Sequence, residues 1–397
     1  MAKRDMDIGE KIRASRLDTV DQYYDPEYAR SVCRNVLDFL DQFYFRAKMV
    51  GFETLPHTES RETPLIYAGN HSGMAFPWDA LVFASTLYRL QNYREDHPIR
   101  ALVAPALSRM RVMHPFFIEN FWHRMGGVDA TLGNFEALSN RAHQAVIIYP
   151  EGIAGIGKGF DHRYQLQRFS NSMIRMALKY RTDIVPVLTV NGEYINPYGY
   201  RVEVINQIAQ KIGIPFVPVG PLSSLISFFP WSFYFGLPAK LTYVMGSSIK
   251  LSELTDQSYE KITQKEMHRL HSVVQSHFQG ELDRAVEEHG KDPYALEELT
   301  EIWWENRERL SYILPTGWPL LFHEHERLFL EAKDKKSVTM NHSNPAYAAA
   351  LTRNPSILAY HYLAWDGQHC LHNTASNRRS DSGAVLPGRS PLAPGQM

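Results

Sequence analysis

Over the first fifty residues the apolar positions fall at Val32, Val36, Leu37, Phe39, Leu40, Phe43 and Tyr44, with Arg30, Arg34, Asp38 and Asp41 opposite. That spacing predicts one amphipathic helix of about five turns. Its apolar stripe has two uses: docking on a protein core, or lying in a membrane interface with Phe43, Tyr44 and Phe45 at its end. From about residue 45 the period changes. Short β-rich runs (47–52, 65–68, 100–104, 145–149, 184–190 and 240–245) alternate with stretches of helical period (79–90, 132–142 and 170–180). Runs such as 145–149 and 184–190 are apolar rather than alternating, as in strands covered on both faces. The pattern predicts an α/β fold with a mainly parallel or mixed sheet flanked by helices.

Between Ile212 and Ala239 no residue is charged. Those 28 residues exceed the roughly 20 that a helix needs to span a bilayer. Pro215, Pro218, Pro221, Pro230 and Pro238 interrupt them, and each interior proline costs a helix about 3 kcal/mol, so no spanning helix is expected. Phe228, Phe229, Trp231, Phe233, Tyr234 and Phe235 crowd this stretch, suited either to dipping into lipid headgroups or to plugging the domain's own core. Past Leu251 the pattern turns helical and acidic, with ten Asp/Glu between Glu281 and Glu308, as on a solvated helical face. From about Asp366 the composition is that of a disordered tail. The resulting division is a helical, membrane-contacting or core-docked segment at 1–44, an α/β domain at 45–252, a helical extension at 253–365 and a tail at 366–397.

Composition narrows the chemistry. The 397 residues are 44% hydrophobic and 21% charged with a formal net charge of −1, which argues against wholesale disorder and against a nucleic-acid partner. Cys33 and Cys370, at opposite ends, build neither a disulfide framework nor a cysteine zinc site, as expected in a reducing cytosol. Asp5, Asp7, Glu10 and Asp18 occupy the first twenty residues without an apolar run, so neither a secretory signal nor a transit peptide is expected. His323-Glu324-His325-Glu326 is a tempting metal set, but histidines at i and i+2 lie on different faces of a helix, and no metal site is expected.

Candidate chemistry sits at strand ends, where α/β sheets bind ligands. Asn70-His71-Ser72-Gly73-Met74-Ala75-Phe76-Pro77-Trp78-Asp79 follows one strand-like run and leads into a helix. An Asp that accepts from one imidazole nitrogen fixes the tautomer and raises the basicity of the other, which can take a proton from a hydroxyl. A loop His beside a helix-start Asp has a purely structural use as well. Tyr149-Pro150-Glu151-Gly152-Ile153-Ala154-Gly155-Ile156-Gly157-Lys158-Gly159-Phe160 follows another strand, and its glycines allow backbone N–H groups close to a ligand. From Lys158 to Arg181 six Lys/Arg stand against Asp161 alone. That makes either a basic patch suited to phosphate or a charged helix face.

Together these blocks resemble the glycerolipid acyltransferases, the lysophospholipid acyltransferase-type enzymes that include the 1-acylglycerol-3-phosphate acyltransferases. Asn-His followed by Asp, Tyr-Pro-Glu-Gly some 80 residues later and Val185-Pro186-Val187 on the next strand carry the likeness. Lys48 to Pro56 and Leu237 to Gly246 extend it over roughly residues 45–250. The resemblance implies His71 as general base, Asp79 as its orienting partner, and Glu151 and Gly152 as shapers of the acceptor pocket. It implies Arg124 as a basic substrate ligand, Val185–Val187 as a pocket wall, and Lys158 or Arg163 in place of the family's phosphate-binding arginine. Two departures stand out. Phe76 occupies the family's usual Asp position, with Asp79 three residues on, and Ile153-Ala154 replace the usual Thr-Arg after Glu-Gly. The implied reaction moves a fatty acyl group from acyl-CoA or acyl-carrier protein, as co-substrate and without a cofactor, to a hydroxyl of lysophosphatidate or another lysophospholipid. A neutral lipid alcohol such as diacylglycerol, or a non-catalytic lipid-binding protein of the same fold, are the alternatives. Partners are membrane lipids and the thioester donor, and the expected location is peripheral or monotopic on the cytoplasmic face of a membrane.

Overall fold

The computed structural model describes residues 20–55, 64–73, 76–211, 216–227, 229–355 and 357. Helix α1 (26–45), which passes through π turns at Cys33–Leu37 and Asp41–Phe45, leads into strands β1 (Lys48–Val50) and β2 (Leu65–Gly69). Then come α2 (Trp78–Leu90), β3 (Ile99–Val103), β4 (Gly127–Asp129), α3 (Leu132–Ser139), β5 (Ala145–Ile148), α4 (Asn171–Tyr180) and β6 (Ile184–Val190). An excursion holds β7 (Tyr200–Arg201), α5 (Glu203–Lys211) and β8 (Pro218–Val219) before β9 (Thr242–Met245) returns to the sheet. Helices α6 (Gln264–His289), α7 (Leu296–Glu305), α8 (Trp318–Glu331) and α9 (Asn344–Arg353) follow.

The sheet order is β1-β9-β6-β2-β5-β3-β4. Strands β6, β2, β5, β3 and β4 are mutually parallel, while β9 runs antiparallel to β6 and parallel to β1. This is the mixed, mostly parallel sheet expected. The strand period of two assigns side chains to faces. Leu65, Tyr67, Ala145, Ile147, Val185 and Val187 join the core beneath α1, α2 and α8. Ile66, Ala68, Val146, Ile148, Ile184 and Leu188 join the core beneath α3, α4 and α6. Both faces are therefore covered, which is why these strands read as continuous apolar runs. Strands β2 and β5 are neighbours in register, Leu65 opposite Ala145 and Ala68 opposite Ile148, so the two motif loops leave the sheet side by side.

The stripe of α1 is buried, with Val36, Leu40 and Phe45 wholly inaccessible. Of its two uses, docking on the core is the one observed, and it presents no apolar face to a membrane. In the aromatic stretch Trp231 and Tyr234 are buried against the ring of Phe116. They are core, whereas Leu225 and Phe229 stay exposed and Phe228 lies outside the described residues. So do residues 1–19 and the tail 366–397. The acidic helical region is not solvated throughout: Glu281 is buried and accepts from the backbone N–H of Ser247. Among the described residues no helix is long and apolar enough to cross a membrane.

Candidate active site

Two loops at the carboxyl ends of β2 and β5 build the site. The β2 loop is fixed first. Asn70 is fully buried; its amide donates to the carbonyl of Thr189 on β6 at 3.0 Å, and its carbonyl accepts from the Thr189 N–H at 2.7 Å. Asn70 thus ties the loop to the adjacent strand just before His71. Trp78 anchors the far end, its indole N–H donating to the Tyr234 carbonyl at 2.7 Å.

Between these anchors His71 meets Asp79. The His71 Nδ1 lies 2.8 Å from Asp79 Oδ2, which also accepts from the Ser72 N–H at 3.0 Å. Asp79 is fully buried in the first turn of α2. The longer spacing between the two residues is taken up by the loop, with Phe76 turned into the aromatic core against Trp78, Trp122 and Tyr234. With Nδ1 donating to the carboxylate, Nε2 is left as the free base, and the His71 ring stacks on Tyr149 at 4.3 Å.

The β5 loop holds His71 from behind. Glu151 is buried and accepts two backbone N–H groups, from His71 at 2.9 Å and from Gln167 at 2.5 Å. Burial pushes its carboxyl above the usual range, opposed by the Lys158 ammonium and by these two donors. A side chain at Gly155 would come within 2.6 Å of the Glu151 Cβ and 3.0 Å of the His71 Cβ, so only glycine allows this close approach. Gly152 has φ +57 and stands exposed at the start of the short helix Ile153–Ile156.

His71 lines a cavity of about 390 Å³ whose wall is mostly apolar, with Phe76, Trp122, Ile147, Met173 and Phe216 among its side chains. Gly152 also lines it. A second lobe of about 410 Å³ shares Leu102, Ala130, Phe135, Ser170 and Ser172 with the first and adds Thr131, Leu132, Asn171 and Arg175.

The remaining expected ligands do not line this cavity. Arg124 is not in the cavity wall; its guanidinium pairs with Glu326 of α8 at 2.8 Å and lies 3.3 Å from the ring centre of Tyr28 in α1. It joins α1 to α8 instead. Lys158 is buried and forms an ion pair with Glu193 at 3.1 Å. Arg163 is exposed and packs over the Phe160 ring. Val185 and Val187 are core residues of β6. The His-Glu-His-Glu run serves the helix seams: His325 bonds Ser31 of α1 at 2.8 Å, and His323 bonds the Phe116 carbonyl at 2.9 Å. The sequence pattern assigns no role to Asn70, Tyr149 or Arg175. The first two stand inside the quoted motifs, and Arg175 was one of six cations with nothing in the pattern to single it out.

Residues 46–190 match the family model described as Acyltransferase, and this stretch is an acyltransferase domain. An uncharacterised protein of Mycobacterium leprae is 29% identical over 275 residues, covering 64% of this chain and 68% of the relative. An uncharacterised protein of Mycobacterium tuberculosis is 27% identical over 275 residues, covering 64% and 69%. Among solved structures, the 1-acyl-sn-glycerophosphate acyltransferase PlsC of Thermotoga maritima aligns with a TM-score of 0.35 and 15% identity, over 65% of this chain and 82% of that one.

Proposed function

We propose that this chain, an acyltransferase over residues 46–190, moves a fatty acyl group from a thioester, acyl-CoA or acyl-carrier protein, to a hydroxyl of a glycerolipid. The observation that carries this reading is the His71–Asp79 pair at 2.8 Å on the wall of a largely apolar cavity. His71 Nε2 takes the proton of the acceptor hydroxyl as its oxygen attacks the thioester carbonyl. Asp79 supports the imidazolium that forms. The carbon–sulfur bond then breaks and the thiolate recovers the proton from His71. A thioester is already activated, so positioning and one proton relay supply most of what the reaction needs.

The placement of cations bears on the acceptor. Among the described residues no Lys or Arg lines the lobe that holds His71, and Arg175 is the one that lines the adjoining lobe. Lys158 is neutralised by Glu193 and Arg124 by Glu326. This favours an acceptor with no phosphate beside its reacting hydroxyl, such as diacylglycerol, over lysophosphatidate. The test is transfer of label from acyl-CoA to a panel of diacylglycerol, lysophosphatidate, other lysophospholipids and long-chain alcohols, with products separated by thin-layer chromatography. Diacylglycerol or an alcohol should give the higher kcat/KM. A preference for lysophosphatidate reverses the assignment of the acceptor.

A further inference from the structure

The excursion between β6 and β9 turns its apolar side outward. In α5, Val204 is 68% exposed, Ile208 61% and Ile205 38%, while Asn206 is fully buried and accepts from the Val217 N–H at 2.8 Å. Positions 204, 205 and 208 share one helix face. A helix packed for water buries its aliphatic face; α5 turns Val204, Ile205 and Ile208 to solvent beside Gln207 and Gln210, and buries Asn206 and Ala209 instead. The same excursion exposes Tyr198, Tyr200, Leu225 and Phe229. These residues belong to one folded unit. The ribbon pairs Tyr200 with Val219, and the Gly199 carbonyl accepts from the Phe160 N–H at 2.8 Å.

We infer that this face docks the protein on an anionic lipid surface, with α5 lying in the interface and its Val204, Ile205 and Ile208 inserted. Two observations select lipid as the occupant. The first is continuity: Phe216, Pro218 and Phe233 of the same excursion line the cavity that holds His71, and Ile153 both lines that cavity and is exposed. The excursion thus supplies uncharged side chains both to the outer patch and to the cavity wall. The second is charge. Apart from Glu203, which pairs with Arg201 at 3.1 Å, the sole ionic residue from the start of α5 to Ala239 is Lys211. It and Arg163, beside the ribbon, are exposed, and neither has an acidic partner among the described residues. Apolar side chains with cations at the edge are the composition that an anionic bilayer attracts. Neither α1 nor the buried aromatics Trp231 and Tyr234 present such a face.

The docking surface serves the acyl transfer proposed above, but its test reads binding rather than turnover. The full chain is floated with phosphatidylcholine vesicles, with and without phosphatidylglycerol. Wild type should bind, more tightly when phosphatidylglycerol is present. The double variant V204Q/I208Q should lose about tenfold or more in partitioning, as expected for removing two inserted aliphatic side chains. Both positions are exposed, so its melting temperature and near-ultraviolet circular dichroism should match wild type. Trp304→Gln, at an exposed position on α7, should leave vesicle binding unchanged. Failure of wild type to bind, or equal binding by V204Q/I208Q, overturns the proposal. So does a solution dimer, seen by light scattering, that the double variant breaks, because a second copy then covers the face. Vesicle binding through α5 with no acyl transfer to any acceptor would overturn the proposed reaction and leave the docking surface standing. Transfer to a short-chain soluble acceptor without vesicle binding would do the opposite.

Discussion

Asp79 makes one oxygen serve two donors, His71 Nδ1 at 2.8 Å and the Ser72 N–H at 3.0 Å, inside a fully buried position. The loop geometry and the electrostatic support of His71 therefore depend on the same atom, and one substitution separates them. In Asp79→Asn the amide oxygen keeps both acceptor contacts but brings no charge to stabilise an imidazolium. Turnover should fall about a hundredfold or more with KM nearly unchanged, and circular dichroism should show an intact fold. A kcat within twofold of wild type would remove Asp79 from the mechanism. Glu151 has a different task at the same scale. Its two backbone acceptor contacts hold the His71 N–H and the 160–170 segment in place, so in the proposed reaction it is a positioning residue for His71.

At the scale of elements, the sequence shows most of what the sheet makes of it. Strands β2, β5 and β6 are covered on both faces and appear as unbroken apolar runs, and the loops after β2 and β5 carry the motif residues that meet in the site. Strand β4 is three residues long and begins at Gly127, too short and too small in side chain to give a period. Helix α5 goes unread for another reason: its aliphatic face is exposed and its asparagine buried. The stripe of α1 is present in the sequence, but which surface covers it is decided by α8, nearly 300 residues away. Arg124 is legible as a cation near a motif and illegible as a strut, because its partners Tyr28 and Glu326 are remote in the chain. As a strut, Arg124→Ala should cost about 2 kcal/mol, between the value of an exposed ion pair and a buried one. Denaturant unfolding should show that loss, with KM for phosphorylated and neutral acceptors unchanged. A selective rise in KM for the phosphorylated class would return Arg124 to the acceptor site.

For the molecule as a whole, the terminal helices and the catalytic domain share one core. Trp318 of α8 packs edge-on against Trp78 at 4.9 Å, one residue from Asp79. The α1–α8 seam contains a buried neutral histidine: burial chiefly, helped by Arg124, lowers the His325 pKa to about 3. A folded pKa below the unfolded value of about 6.5 means that the unfolded chain binds the extra proton. The seam's contribution is then fully present above about pH 6.5 and is lost as pH falls toward 3, by about 1.4 kcal/mol per pH unit. Chemical denaturation between pH 7 and pH 5 should show this decline, and His325→Gln should make it shallower, with the partly buried His323 and His342, also held below the usual range by burial, supplying the rest; an unchanged slope in the variant would assign the acid sensitivity to other groups. One assay decides whether the histidine at the cavity wall acts as the base: transfer of a labelled acyl group from acyl-CoA to the glycerolipid panel by wild type and by His71→Ala, both confirmed as folded. Wild type should form an acylated lipid, and His71→Ala should form it two to four decades more slowly. Equal rates for the two proteins, or release of free fatty acid in place of an acylated lipid, would contradict the account.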